Sequence, residues 1–126
     1  MIQRSARDGR AAADGVMAKD KTALLAGTLD LIVLKLLQAG PANGWDITQR
    51  IQLLSQDALS VNYGSLYPAL HRLEARGLIT ARWAPSDNNR RARFYALTAA
   101  GKRQLASEQD AWERFSTALE AILRTA

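Results

Sequence analysis

Leu25, Leu29, Ile32, Val33, Leu36 and Leu37 recur at spacings of three and four, the apolar stripe of an amphipathic helix. Gly40 stops that helix and Pro41 lies just beyond, which is the usual chemistry of a helix end. Asn43 is placed to cap a second helix, to which Trp45, Ile47, Ile51 and Leu54 supply apolar surface before the polar break SQDALS. A third stripe runs through Leu66, Leu70 and Leu73, with Tyr63, Tyr67 and Glu74 on its flank and Gly77 at its end. The period then changes to two. Ile79, Ala81 and Trp83 point one way, as in a strand, and PSDNN has turn chemistry. RARFYALT reads as a second strand pairing back. Thr98 can cap a last, long helix. In it Leu105, Trp112 and Leu119 repeat every seven residues, as do Phe115 and Ile122, a short coiled-coil-like seam.

This order predicts a mainly α fold with a small β-hairpin: a winged helix-turn-helix over residues 21–97, then a C-terminal dimerisation helix over 98–126. In such a fold the third helix enters the DNA major groove and the hairpin is the wing. Residues 1–20 carry small and charged side chains without a periodic apolar face and read as a disordered tail. The alternative for them is an arginine-bearing arm that touches DNA, and Met17 is a second candidate start.

Composition narrows the function. A chain of 126 residues makes one domain with one modest core. It has no cysteine and a single histidine, which excludes disulfides and thiolate metal sites and fits a cytosolic protein. No glycine-rich phosphate loop and no metal-ligand cluster stands in the sequence, so neither an enzyme nor a cofactor or metal site is expected. No run approaches the roughly 18 apolar residues of a membrane helix. The net charge of +5 suggests an anionic partner only weakly, but its distribution says more. From Val61 to Arg103 there are eight cations (Arg72, Arg76, Arg82, Arg90, Arg91, Arg93, Lys102, Arg103) against Glu74 and Asp87, a net +6 in one third of the chain.

At 100° per residue the third helix turns Leu66, Leu70 and Leu73 inward. Ser65, Pro68, Arg72, Ala75 and Arg76 face outward, with Gly64 and His71 at the margins. The outward face is therefore small at its start and cationic at its end. Ser65 can donate to a phosphate or base edge, and Arg72 can reach guanine or phosphate. Tyr63 and Tyr67 sit between the faces and can offer their hydroxyls to the DNA backbone. His71 reads either as a solvent or groove-edge side chain or as a DNA contact. Arginines at the hairpin tip suit phosphate or minor-groove contact. The seam of the last helix packs either on its own domain or, the favoured reading, on a second copy. Trp112 in that seam either packs an interface or lines a pocket for a planar apolar ligand.

The runs GTLDLIVLKLLQAGPANGWDI, GSLYPALHRLEARGLI and RARFYALTAAGKRQL resemble the PadR family of bacterial transcriptional regulators, from about Leu24 to the C-terminus. The resemblance implies a dimeric winged-helix regulator, usually a repressor, released by a small molecule or another signal and bound to a palindromic operator in double-stranded DNA. The reading helix maps onto Asn62 to Arg76, with Asn62, Tyr63, Gly64, Ser65, Tyr67, Pro68, His71, Arg72 and Arg76 as its contacts. The wing maps onto Pro85 to Arg93, with Asn88, Asn89, Arg90, Arg91 and Arg93. The dimer helix maps onto Ala99 to Arg124, the short form with one C-terminal helix, and its interface would use Leu105, Trp112, Phe115, Leu119 and Ile122. Trp45 stands where the family usually has tyrosine, a substitution expected to be packing. The alternative is a winged-helix ligand-sensing or protein-interaction module with little DNA specificity. A protein-interaction module would carry an apolar outward face on the third helix, where this chain has Arg72 and Arg76.

Overall fold

The computed structural model describes residues 16–18 and 27–125. Helix α1 (Thr28–Leu37) buries Leu29, Val33, Leu36 and Leu37, as the spacing leads one to expect, and also Leu34, which the expected stripe did not contain. Ile32 packs at its edge, and Leu25 lies outside the described residues. Strand β2 (Ala42–Asn43), which follows β1 (Val16–Ala18) in the chain, leads directly into helix α2 (Gly44–Leu54). Asn43 closes a reciprocal capping box. Its Oδ1 accepts from the Asp46 amide at 2.8 Å, and the Asp46 carboxylate accepts from the Asn43 amide at 3.4 Å.

Strand β3 (Leu59–Val61) precedes helix α3 (Tyr63–Ala75), whose cap Asn62 accepts from the Ser65 amide at 2.9 Å. Helix α3 runs unbroken through Pro68 and buries Leu66, Ala69, Leu70 and Leu73. It ends in a Schellman motif: the Gly77 amide donates to the Glu74 carbonyl at 2.9 Å and the Leu78 amide to the Leu73 carbonyl at 3.0 Å. Gly77 has φ 75°, a left-handed conformation that a side chain would strain.

Strands β4 (Ile79–Pro85) and β5 (Arg91–Leu97) form the expected hairpin, in register from Ile79 opposite Leu97 to Pro85 opposite Arg91. A third strand was not foreseen. β2 pairs with the other edge of β5, Ala42 opposite Tyr95, so the order is β2-β5-β4. This pairing ties the wing to the start of α2. A second addition lies within the segment expected to be a tail. Strand β1 (Val16–Ala18) pairs antiparallel with β3, Val16 opposite Val61. The rest of residues 1–20 lies outside the described residues.

Helix α4 (Ala99–Leu123) is 25 residues long. Thr98 caps it, accepting from the Gly101 amide at 3.0 Å, and its hydroxyl donates to the Gly77 carbonyl at 2.7 Å. A Cβ on Gly101 would stand 2.0 Å from the Leu78 carbonyl oxygen, so only glycine lets α4 start this close to β4. The core fills the space between the helices and the base of the sheet, with Val33, Leu34, Ile47, Leu66, Leu70 and Tyr95 almost wholly buried. Each such aliphatic side chain contributes about 1.5–3 kcal/mol. Leu105 requires a correction. It was expected in the seam between two copies, but it is 2% exposed and belongs to this chain's own core, because the first two turns of α4 lie on the domain.

Candidate nucleic-acid interface

Burying the leucine face of α3 leaves Gly64, Pro68, His71, Arg72, Ala75 and Arg76 exposed and Ser65 half-buried, as the helical wheel requires. The wing completes the surface. Residues of one strand parity and their cross-strand partners share a sheet face, so Ile79, Ala81 and Trp83 stand beside Leu97, Tyr95 and Arg93. At the base this face is core, with Ile79 and Tyr95 each 1% exposed; toward the tip it leaves the helices behind, and Trp83 is 56% exposed. The alternation of the strand is as expected, but burial stops halfway along it.

An open groove runs between α3 and this wing face, lined by Trp45, Tyr63, Tyr67, Trp83, Arg91 and Arg93 among others. Trp45 corrects another expectation. It does not pack inward but is 60% exposed at the groove edge. Beside it, Gly44 makes room for Tyr67: a Cβ there would lie 2.6 Å from the phenol oxygen. Tyr63 and Tyr67 form a tilted ring pair with centroids 5.5 Å apart. Burial, and secondarily Tyr63, raises the Tyr67 phenol above its ordinary range. Burial does the same for Tyr95, where Arg93 acts in the lowering direction and Tyr67 and Glu74 in the raising one. Both phenols are thus neutral hydroxyls, able to donate, at neutral pH.

The arginines fall into two groups. Arg93 donates to both carboxylate oxygens of Glu74, at 3.2 and 3.4 Å, and so braces the wing against α3. Arg72 donates to Asp30 in the first turn of α1 at 2.9 Å. Arg76, Arg90 and Arg91 have no carboxylate within ion-pair distance among the described residues. The Arg91 guanidinium lies over the Trp83 ring, 5.9 Å from its centroid, a cation–π arrangement. At the tip, the Ser86 amide donates to the Arg90 carbonyl at 2.7 Å and the Asn89 amide to the Ser86 carbonyl at 2.8 Å. Asn88 Oδ1 accepts from the Arg90 amide at 3.3 Å. Asn89 takes φ 64°, a conformation asparagine tolerates well. Asn88 and Asn89 therefore shape the turn that presents Arg90 and Arg91.

Sequence reasoning missed Gly44, Trp83 and Asp30. The available signal for Trp83 was strand length: seven residues per strand outreach a three-helix core. Nothing local marked Asp30, because its partner lies 42 positions away.

On α4, Trp112, Phe115, Leu119 and Ile122 remain 40–66% exposed, an apolar stripe that the other described residues leave largely uncovered. Trp112 and Phe115 are 5.9 Å apart between centroids. With Gly27, Thr28, Leu31 and Glu108 they line a shallow, open depression between the start of α1 and α4. Among the described residues no group of three or more His, Cys, Asp or Glu side chains could hold a metal ion, and no helix is long and apolar enough to cross a membrane.

Comparison with known proteins agrees with this architecture. The family model described as the transcriptional regulator PadR-like family matches residues 33–107. A transcriptional regulator of Mycobacterium tuberculosis is 40% identical over 65 residues, covering 52% of this chain and 60% of its own length. The negative transcriptional regulator PadR of Bacillus subtilis is 31% identical over 77 residues, 61% of this chain and 42% of that protein. Among solved structures, a transcriptional regulator from Clostridium thermocellum superposes with TM-score 0.71 at 24% identity, over 78% of this chain and 95% of the other. A PadR-like transcription factor from Bacteroides fragilis superposes with TM-score 0.63 at 30% identity, over 76% and 90% of the two chains. Fold, element order and a family match over more than half the chain coincide, and the chain belongs to the PadR-like family of transcriptional regulators.

Proposed function

We propose that this regulator binds a palindromic DNA operator as a homodimer and acts as a repressor released by a small molecule or another signal. The observation that carries the reading is the groove between α3 and the wing, where Arg90 and Arg91 stand unpaired by carboxylates among the described residues beside the hydroxyls and rings of Tyr63 and Tyr67. Helix α3 enters the major groove, and one sugar-phosphate strand passes between it and the wing. Cations and phenol hydroxyls meet its phosphates, and the exposed rings of Trp45 and Trp83 pack on its sugars. The apolar stripe on α4 supports dimerisation, which would set two α3 helices about one helical turn of DNA apart. The repressor role is supported by the Bacillus subtilis relative, a negative transcriptional regulator. The open depression between α1 and α4 that Trp112 helps to line is the seat this reading assigns to an effector.

The test is to incubate the protein with fragments of its own genome and sequence what it retains. Recovery of a palindromic site upstream of its own or a neighbouring gene is expected; no enrichment over random DNA would overturn the reading. On the recovered operator, Arg91→Ala should weaken binding to all sequences and flatten the dependence of log affinity on log salt by about one ion. An unchanged slope would remove Arg91 from the interface.

A further inference from the structure

Two arginines one turn apart, Arg72 in the last turn of α3 and Arg76 at its C-cap, differ in their surroundings. Arg76 has no carboxylate within ion-pair distance among the described residues. Arg72 is held by Asp30 at 2.9 Å, and the two side chains are unequally exposed, 55% for Arg72 and 14% for Asp30. Asp30 is itself fixed. It is the acidic residue in the first turn of α1, where the cap position is Gly27 and supplies no side-chain cap. A carboxylate there is favoured by the unpaired amides of the helix start. Its anchor is a helix whose leucine face lies in the core, and its partner is a cation on the helix that the proposed function sets against DNA.

From this geometry we infer that Asp30 is a specificity-determining residue, which holds Arg72 away from phosphates and leaves it for a base edge. The inference rests on the DNA-binding reading above. A phosphate and a carboxylate are similar partners for a guanidinium. On random DNA, Arg72 would exchange one such pair for another, with little net gain. A guanine edge at the right position offers two acceptors in the planar spacing of the guanidinium fork, and a pre-aimed Arg72 reaches it with less loss of side-chain freedom. Asp30 therefore removes most of the sequence-independent share of what Arg72 adds and leaves the sequence-dependent share.

The experiment measures affinity against salt for random duplex DNA and for the recovered operator, with wild type, Asp30→Asn, Arg72→Ala and the double variant. In Asp30→Asn the released Arg72 should tighten random binding and steepen its salt slope by about one ion, and the ratio of operator to random affinity should fall. Arg72→Ala should weaken operator binding about tenfold or more while the slope on random DNA stays at the wild-type value. The double variant should match Arg72→Ala. An unchanged random slope in Asp30→Asn overturns the inference. An equal tightening by Asp30→Asn in the Arg72→Ala background does so as well, because it would be general loss of negative charge. Should Asp30→Asn fold poorly, Arg72→Ala decides alone: a random slope shallower by about one ion means Arg72 was already a phosphate contact. Absence of any salt-dependent DNA binding by wild type would instead sink the DNA-binding reading itself.

Discussion

Tyr95 has its side chain buried at the base of the wing, opposite Ala42 and Ala81 at once. Burial raises its phenol above the ordinary value near 10. The folded state therefore keeps the proton that the unfolded chain gives up first. The stability that comes from a neutral Tyr95 is present in full below about pH 10 and is lost as pH rises through the folded value. Urea midpoints measured at pH 8 and at steps above pH 10 should fall less in Tyr95→Phe than in wild type; parallel declines would mean that Tyr95 titrates as in the unfolded chain. At the same scale, residue identity alone was a poor guide to role. Trp45 looked like packing and is exposed, Arg72 was read as reaching guanine or phosphate and is paired with Asp30, and Leu105 looked like interface and is core. Each outcome depends on what another part of the chain places beside the side chain.

Elements were far more legible, because caps and periods are local. Asn43 and Thr98 cap the helices for which the sequence proposed them, whereas Asn62, named only as a DNA contact, has its side chain engaged in capping α3. The turn between β4 and β5 falls where PSDNN stands. Thr98 does more than cap, since its hydroxyl also joins α4 to the Gly77 carbonyl at the end of α3. Thr98→Ala should lower unfolding free energy by about 1–2 kcal/mol, read from urea denaturation. Thr98→Ser should recover most of it, since serine retains the hydroxyl. A cost near zero would mean that water replaces both bonds. The third strand of the sheet escaped sequence reasoning because β2 is two residues long, too short to show a period.

At the scale of the whole molecule, the stripe Trp112, Phe115, Leu119 and Ile122 is left largely exposed by the other described residues. Apolar side chains repeating at this spacing on a long helix fit a partner helix of the same kind. A charge placed in the middle of such a seam would be desolvated without a partner. On the dimer proposed above, wild type should sediment as a dimer and Leu119→Glu as a monomer, with a folded helical signal and greatly weakened operator binding. A Leu119→Glu protein that stays dimeric would place the interface elsewhere.

The sequence by itself determined the helices, the hairpin, the leucine face of α3 and the cationic character of the opposite face. These follow from hydrophobic period, from capping pairs three residues apart and from turn residues, all of which act within a few positions. Tertiary structure alone decided which aromatic rings border the groove, how far along the wing the core extends, and which arginines are already paired. Those outcomes depend on contacts between distant positions, Asp30 with Arg72 and Glu74 with Arg93, and on the point at which the helices no longer cover the sheet.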